Sequence, residues 1–288
     1  MIPGVKMNDF PKTVAILGVG LLGTSIGRGL LARGCVEKVV GWGRNAEKLA
    51  LAKKLDAVTD FTDDLRAAVK DAELVVVCTP VGMIAELVRQ AAEFAPAGTL
   101  FTDVGSTKTA VSRGLEASPP GNRCRFLGGH PIAGKENHSL EASDGELFSG
   151  KVTVLTPTLG TSAEDVGLLT RFWETLGSRV FRMSPEEHDA ALARTSHFPH
   201  VLACVLAKIV PPELYPLAGT GFGSVSRPAS GNVAVWKDIL LENADAVLES
   251  LEMAASEINI LADVLRRRDA ETLEEFLEAA KENRDKFI

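Results

Sequence analysis

Along the first half of the chain, short apolar and β-branched runs alternate with stretches in which apolar residues recur every three and four positions. The runs fall at 13–17, 38–42, 74–78, 100–103, 125–127 and 151–155 and predict strands. The periodic stretches, clearest at 21–33, 46–55, 82–94 and 107–116, predict amphipathic helices. This alternation is the pattern of a parallel sheet covered by helices, a doubly wound α/β fold. After Thr156-Pro157 the strand signals nearly vanish, apart from 179–183, and helical periodicity runs to the C-terminus. Two domains follow, an α/β domain over 10–158 and an all-α helical domain over 159–288.

The clearest late helix starts near Asn232 and carries Val247, Leu251, Ala254, Ile258, Leu261 and Leu265, an apolar seam along one side. Such a seam must pack on something. The spacing leaves two partners open, the rest of the same chain or a second copy of it.

Composition narrows the class. The 288 residues are 45% hydrophobic and 24% charged, which excludes collagenous and disordered chains and provides for two cores. Lys and Arg number 31 against 38 Asp and Glu, and the resulting charge of −7 disfavours a broad grip on nucleic acid or an anionic membrane. Cys35, Cys78, Cys124 and Cys204 are scattered without a C-x-x-C pair, as expected in a reducing compartment. Residues 1–12 lack a basic stretch followed by an apolar one, and no apolar window suits a bilayer span, so the expected location is the cytoplasm.

The glycines at the end of the first run carry the first chemistry. Gly18-Val19-Gly20-Leu21-Leu22-Gly23 follows a strand and opens a helix, the context that a dinucleotide fingerprint requires. Gly18 serves the tight turn, Gly20 leaves room for a pyrophosphate, and Gly23 lets helix and strand approach, while unpaired helix N–H groups attract phosphate. About 20 residues further on, where NAD-binding chains usually present a carboxylate to the ribose, the sequence reads Gly43-Arg44-Asn45. Arg44 suits a 2′-phosphate, with Asn45 and Lys48 as further donors, so NADP is favoured over NAD. Thr79 and Pro80 end the 74–78 strand at the edge where such folds place ligands, as crevice lining or as a plain strand exit.

Two more segments sit at strand ends and are expected to face the nicotinamide side: Asp103-Val104-Gly105-Ser106-Thr107-Lys108, and 128–134 with His130. Flanked by glycines and followed by Pro131, His130 reads as a loop histidine positioned as a base. In the helical part, Ser196-His197-Phe198-Pro199-His200 places two histidines three apart on a helix that Pro199 would interrupt, fit for substrate contact or core packing. With no third ligand at metal spacing, no metal is expected. The stretch 219–228 reads as an irregular glycine-rich loop, in which Arg227 either receives a carboxylate or is solvated.

Taken together, G-V-G-L-L-G, D-V-G-S-T-K, G-G-H-P-I-A-G, S-H-F-P-H and S-R-P-A followed by Trp236 resemble the prephenate dehydrogenases of the arogenate/cyclohexadienyl dehydrogenase family. The resemblance spans the chain from about Thr13. It implies a Rossmann dinucleotide-binding domain joined to a helical dimerisation domain, hence a homodimer. The implied reaction is oxidative decarboxylation of prephenate to 4-hydroxyphenylpyruvate in tyrosine biosynthesis, with NADP or NAD as hydride acceptor. By that resemblance, His130 accepts a hydrogen bond from the ring 4-hydroxyl and Ser106 orients it, both as catalytic residues. Ser196 and His200 bind substrate, and Arg227 binds a substrate carboxylate. Two positions depart from the family pattern: Gly43 replaces an Asp common in relatives, and Ser224 replaces an Asp three residues before the arginine. The alternatives are arogenate or dual-specificity use, a β-hydroxyacid dehydrogenase, and a nicotinamide-binding sensor without catalysis.

Overall fold

The computed structural model describes residues 10–134 and 139–287; residues 1–9, read above for a targeting segment, lie outside them. Six strands form a parallel sheet in the order β3-β2-β1-β4-β5-β6. They are β1 (Thr13–Leu17), β2 (Lys38–Trp42), β3 (Asp60–Thr62), β4 (Leu74–Val77), β5 (Leu100–Asp103) and β6 (Arg125–Phe126). Five helices cross over between them: α1 (Leu21–Ala32), α2 (Ala46–Lys54), α3 (Leu65–Val69), α4 (Ile84–Ala92) and α5 (Thr109–Ala117).

Alternation along β1 explains the burial on both faces. Val14 and Ile16 join Ile26 and Leu30 of α1 in one apolar cluster, while Ala15 and Leu17 join Ile84, Leu87 and Val88 of α4 in another. The strand order reverses at β1, whose end is level with those of β2 and β4. A crevice at that carboxyl edge follows, which is where doubly wound sheets bind ligands.

A second sheet of order β7-β8-β9 comprises β7 (Gly128–Ile132), β8 (Val152–Thr156) and β9 (Arg179–Arg182), with α6 (Ala163–Thr175) between the last two. The run at 151–155, expected in the parallel sheet, is therefore β8 of this separate sheet, antiparallel to β7 and parallel to β9. Segment 128–134, read as a loop, begins with a strand. Its glycines signal close approach and not a turn, since a Cβ on Gly129 would lie 2.9 Å from the Asp103 carbonyl oxygen. The short edge strand β3 is too polar to stand out by pattern. Strand structure runs past the expected division at 158/159 as far as Arg182.

The remainder is helical: α7 (Pro185–Leu192), a π-helical turn (Ala193–His197), α8 (Phe198–Ile209), α9 (Thr220–Ser226), α10 (Val233–Glu242), α11 (Ala244–Arg267) and α12 (Ala270–Asp285). Short 3-10 turns at Pro212–Leu217 and Arg227–Ser230 flank α9. The glycine-rich stretch read as irregular is thus mostly helix, although none of the residues of α9 is buried. Pro199 occupies the first turn of α8, where its missing N–H leaves nothing unpaired, and the interruption expected there is the wide π turn just before it. The single helix expected from Asn232 divides at Asn243, whose side chain turns inward to bond elsewhere.

Candidate active site

The dinucleotide loop has the geometry its sequence requires. Gly18 has φ +110°, and a Cβ there would come within 2.7 Å of the Cys78 carbonyl oxygen. Gly20 caps α1 with no side-chain partner, and a Cβ on it would meet nothing within 4 Å. The first-turn N–H groups of α1 therefore face an open cradle, suited to a pyrophosphate. Gly20, Leu21, Leu22, Thr79 and Pro80 line a cavity of about 480 Å³ that continues to Gly105, Ser106 and Trp236. Thr79 Oγ1, buried there without a protein partner, is a polar atom fit for a cofactor. The crevice residues match a nicotinamide dinucleotide, with Gly18 and Gly23 shaping the turn from behind.

Arg44 lies exposed just past β2, outside that cavity. Asn45, expected as a cofactor donor, uses its side-chain oxygen to cap α2 by accepting from the Lys48 N–H at 2.9 Å.

A second cavity, about 370 Å³, adjoins the first and shares Ser106, Ala133, Gly134, Trp236 and Ile239 with it. His130, Ser196 and His197 line it. Strand β7 delivers His130, a residue only 8% exposed, so the imidazole projects from a buried strand and not from a loop. His200 stands behind this wall, its ring stacked on Trp236 with centroids 3.5 Å apart and planes 7° apart. Ser106, His130, Ser196 and, through Trp236, His200 therefore converge. Arg227 does not: it is exposed on the turn Arg227–Ser230, which packs against α8, and lines neither cavity.

Beneath the cavity lies a polar network that sequence reading missed. His130 Nδ1 is 2.8 Å from His188 Nε2, and His188 Nδ1 is 2.8 Å from Asp189 Oδ1. The Asp189 carboxylate also accepts from the Lys108 and Thr109 N–H groups, each at 2.8 Å, and so caps the start of α5. Asn243 donates to the Asp189 carbonyl oxygen at 2.8 Å and meets His197 Nδ1 at 3.1 Å. That bond makes Nδ1 of His197 the acceptor and leaves its proton on Nε2, which is buried with no partner among the described residues. Lys108, fully buried, pairs with Asp103, whose other oxygen accepts from the Gly129 N–H at 3.0 Å. The only advance signal was polar: a Lys at the strand-to-helix junction 103–109, and adjacent His and Asp inside a capped helix.

Electrostatics disfavour the charged form of His130, His197 and His200. Burial, then the nearby His188, Lys108 and His197, hold the His130 pKa well below its ordinary value. Burial is also the main cause that lowers His197 to about 4 and that lowers His200. For Asp189, burial would raise the pKa, but hydrogen bonds from His188, Thr109 and Lys108 outweigh it and leave the carboxylate below its usual range.

A glycine-rich strand-to-helix turn at a sheet reversal, opening into a cavity with a neutral histidine, defines a nicotinamide-dependent dehydrogenase. Comparison with known proteins gives the family. Residues 26–182 match the family model described as prephenate dehydrogenase, nucleotide-binding domain, and 184–279 that of its dimerization domain. The chain is 34% identical to the prephenate dehydrogenase of Bacillus subtilis (strain 168), over 97% of this chain and 77% of that one. It is also 34% identical to the cyclohexadienyl dehydrogenase of Zymomonas mobilis, over 94% of each. The crystal structure of prephenate dehydrogenase from A. aeolicus with hydroxyphenyl propionate and NAD+ superposes with a TM-score of 0.88 at 32% identity, covering 96% of this chain and 98% of that one. The chain belongs to the prephenate dehydrogenase family.

Proposed function

We propose that the two adjoining cavities carry out the oxidative decarboxylation of prephenate to 4-hydroxyphenylpyruvate, with His130 as the base. The observation that carries this reading is a neutral, buried imidazole in a cavity that shares Ser106 and Trp236 with the dinucleotide crevice. Bound by the Gly20–Leu22 turn, Thr79 and Pro80, a nicotinamide dinucleotide supplies the hydride acceptor. His130 takes the proton of the 4-hydroxyl as hydride leaves the ring carbon that bears it, and returns it to that oxygen once the ring carboxylate has left as carbon dioxide and the ring has become aromatic. Ser106, at the wall common to both cavities, orients that hydroxyl, and the His197 Nε2–H offers a donor to a substrate oxygen. His130 enters the reaction as the base, so a depressed pKa favours its starting form.

The finer assignments rest on narrower support. Arg44 at the end of β2, with no carboxylate beside Gly43, favours NADP over NAD. Arg227 is the cation assigned to a substrate carboxylate, on its match to the family arginine and on its turn packing near the His200–Trp236 stack. Exposed apolar residues of α8, α10 and α11 suit a homodimer. Among the described residues no helix is long and apolar enough to cross a membrane, and we assign the enzyme to the cytoplasm. The cyclohexadienyl dehydrogenase relative makes dual use of arogenate the second reading.

Assay of the purified chain on prephenate and arogenate, each with NADP and NAD, is the direct test. Turnover of prephenate with NADP is expected to exceed the other combinations, and strong NAD preference would overturn the cofactor assignment. His130→Ala is expected to lower kcat by about 100-fold or more with cofactor affinity unchanged, and near-normal turnover would reject it as base.

A further inference from the structure

Resting on the reading of His130 as base, we propose that His188 and Asp189 are positioning residues that fix the His130 tautomer. Its Nδ1 then carries the proton and its Nε2 keeps a lone pair facing the substrate cavity. The three side chains form one hydrogen-bonded line across the molecule, from β7 to α7, with both links at 2.8 Å.

Direction in this line is set from its far end. An ionised Asp189 only accepts, so Nδ1 of His188 must donate to it. With Nδ1 of His188 donating, its Nε2 is the acceptor of the line, and Nδ1 of His130 donates to it. Lys108 raises the cost of a positive charge at the His130 end of this line. A free neutral imidazole prefers its proton on Nε2, the nitrogen that must accept the substrate proton. Left to itself, His130 would thus be mostly in the wrong form.

The relay is held rigidly. His188 is fully buried with its ring edge-on to that of His130, centroids 5.1 Å apart. Both Asp189 oxygens are engaged by backbone N–H groups at the start of α5, and its own carbonyl oxygen is held by Asn243. Helix α7 starts with a complete capping box, Ser184 with Glu187, behind Pro185. No contact of His188 or Asp189 with a cavity surface is needed for this role, and neither lines either cavity.

Two measurements on the full-length protein decide it. With the five histidines labelled with 15N, the spectrum of the wild type is expected to show His130 protonated on Nδ1 and bare on Nε2. Protonation on Nε2 would overturn the proposal. In kinetics, His188→Leu is expected to lower kcat by about 100-fold with little change in KM or cofactor affinity, while His188→Gln, whose amide oxygen can accept from His130, retains within about tenfold of wild-type turnover. Asp189→Asn is expected to move the His130 proton to Nε2 and lower kcat comparably to His188→Leu. His188→Leu turning over within about threefold of wild type, in a protein where His130→Ala is strongly impaired, would also overturn it. Because the spectrum reads the tautomer without turnover, it decides the relay even where His130→Ala keeps full activity, the result that sinks the base assignment instead.

Discussion

The sheet-bearing and helical parts of this chain bury their apolar residues in different ways. Both large apolar clusters lie entirely within residues 14–176. Beyond Arg182 the buried apolar residues are only Leu192, Ala193, Ala203, Ile239, Val247 and Val264 among those described. Over the same region Leu202, Val205 and Ile209 of α8, Leu241 of α10, and Ile258 and Leu265 of α11 are exposed. The seam along α11 is consequently covered by its own chain at Val247, half-covered at Leu251 and Leu261, and bare at Ile258 and Leu265. The contrast teaches that one part is closed by its own chain while the other leaves large apolar side chains exposed, the kind of surface that suits an interaction site.

Cutting into the closed part is expected to have the largest effect. Lys108→Met strands the Asp103 carboxylate in a fully buried position, and a loss of about 3–5 kcal/mol in urea unfolding is expected. A loss below about 1 kcal/mol would show that water reaches this pair. Charging the open part tests the other side: Ile258→Glu with Leu265→Glu is expected to convert a dimer to monomer in sedimentation velocity while leaving the cofactor affinity within about twofold, since an exposed apolar pair covered by a partner contributes roughly 1.5–3 kcal/mol per side chain. An unchanged sedimentation coefficient would return the seam to ordinary surface.

Arg227 sharpens the comparison, because it sits on the open part yet is assigned to the substrate. Arg227→Ala is expected to raise the KM for prephenate at least tenfold, about 1.4 kcal/mol, with a smaller effect on kcat. An unchanged KM makes it a solvated surface residue. The smallest effect is on pH dependence, at the junction of the two parts. His197 folds with its pKa near 4, below the unfolded value of about 6.5, so its contribution is fully present above pH 6.5 and is lost as the pH falls towards 4. His197→Gln is expected to flatten the fall of Tm across that window, and an unaltered slope would place the titration elsewhere.

Much of the fold was legible because its signals are local. The apolar runs at 13–17, 38–42 and 100–103 became β1, β2 and β5 at those residues, since strands buried on both faces need unbroken apolar character. Gly18 and Gly20 were readable for a similar reason, each meeting a demand of its own backbone and immediate neighbours. What failed in the sheet was non-local: 128–132 reads as a loop until β8 and Asp103 lie beside it.

The site divides along the same line. The sequence by itself determined the glycine turn after β1, and it marked His130 and, through the family resemblance, Ser106, which the structure brings to the wall of one cavity. Only the tertiary structure decided that His130 projects from a strand, that Arg227 stands outside its cavity, and that His188, Asp189 and Lys108 lie beneath it. A hydrogen-bond partner 58 residues away leaves no periodicity in a sequence, and burial, which sets the charge state of such a cluster, is a property of the folded volume and not of the chain.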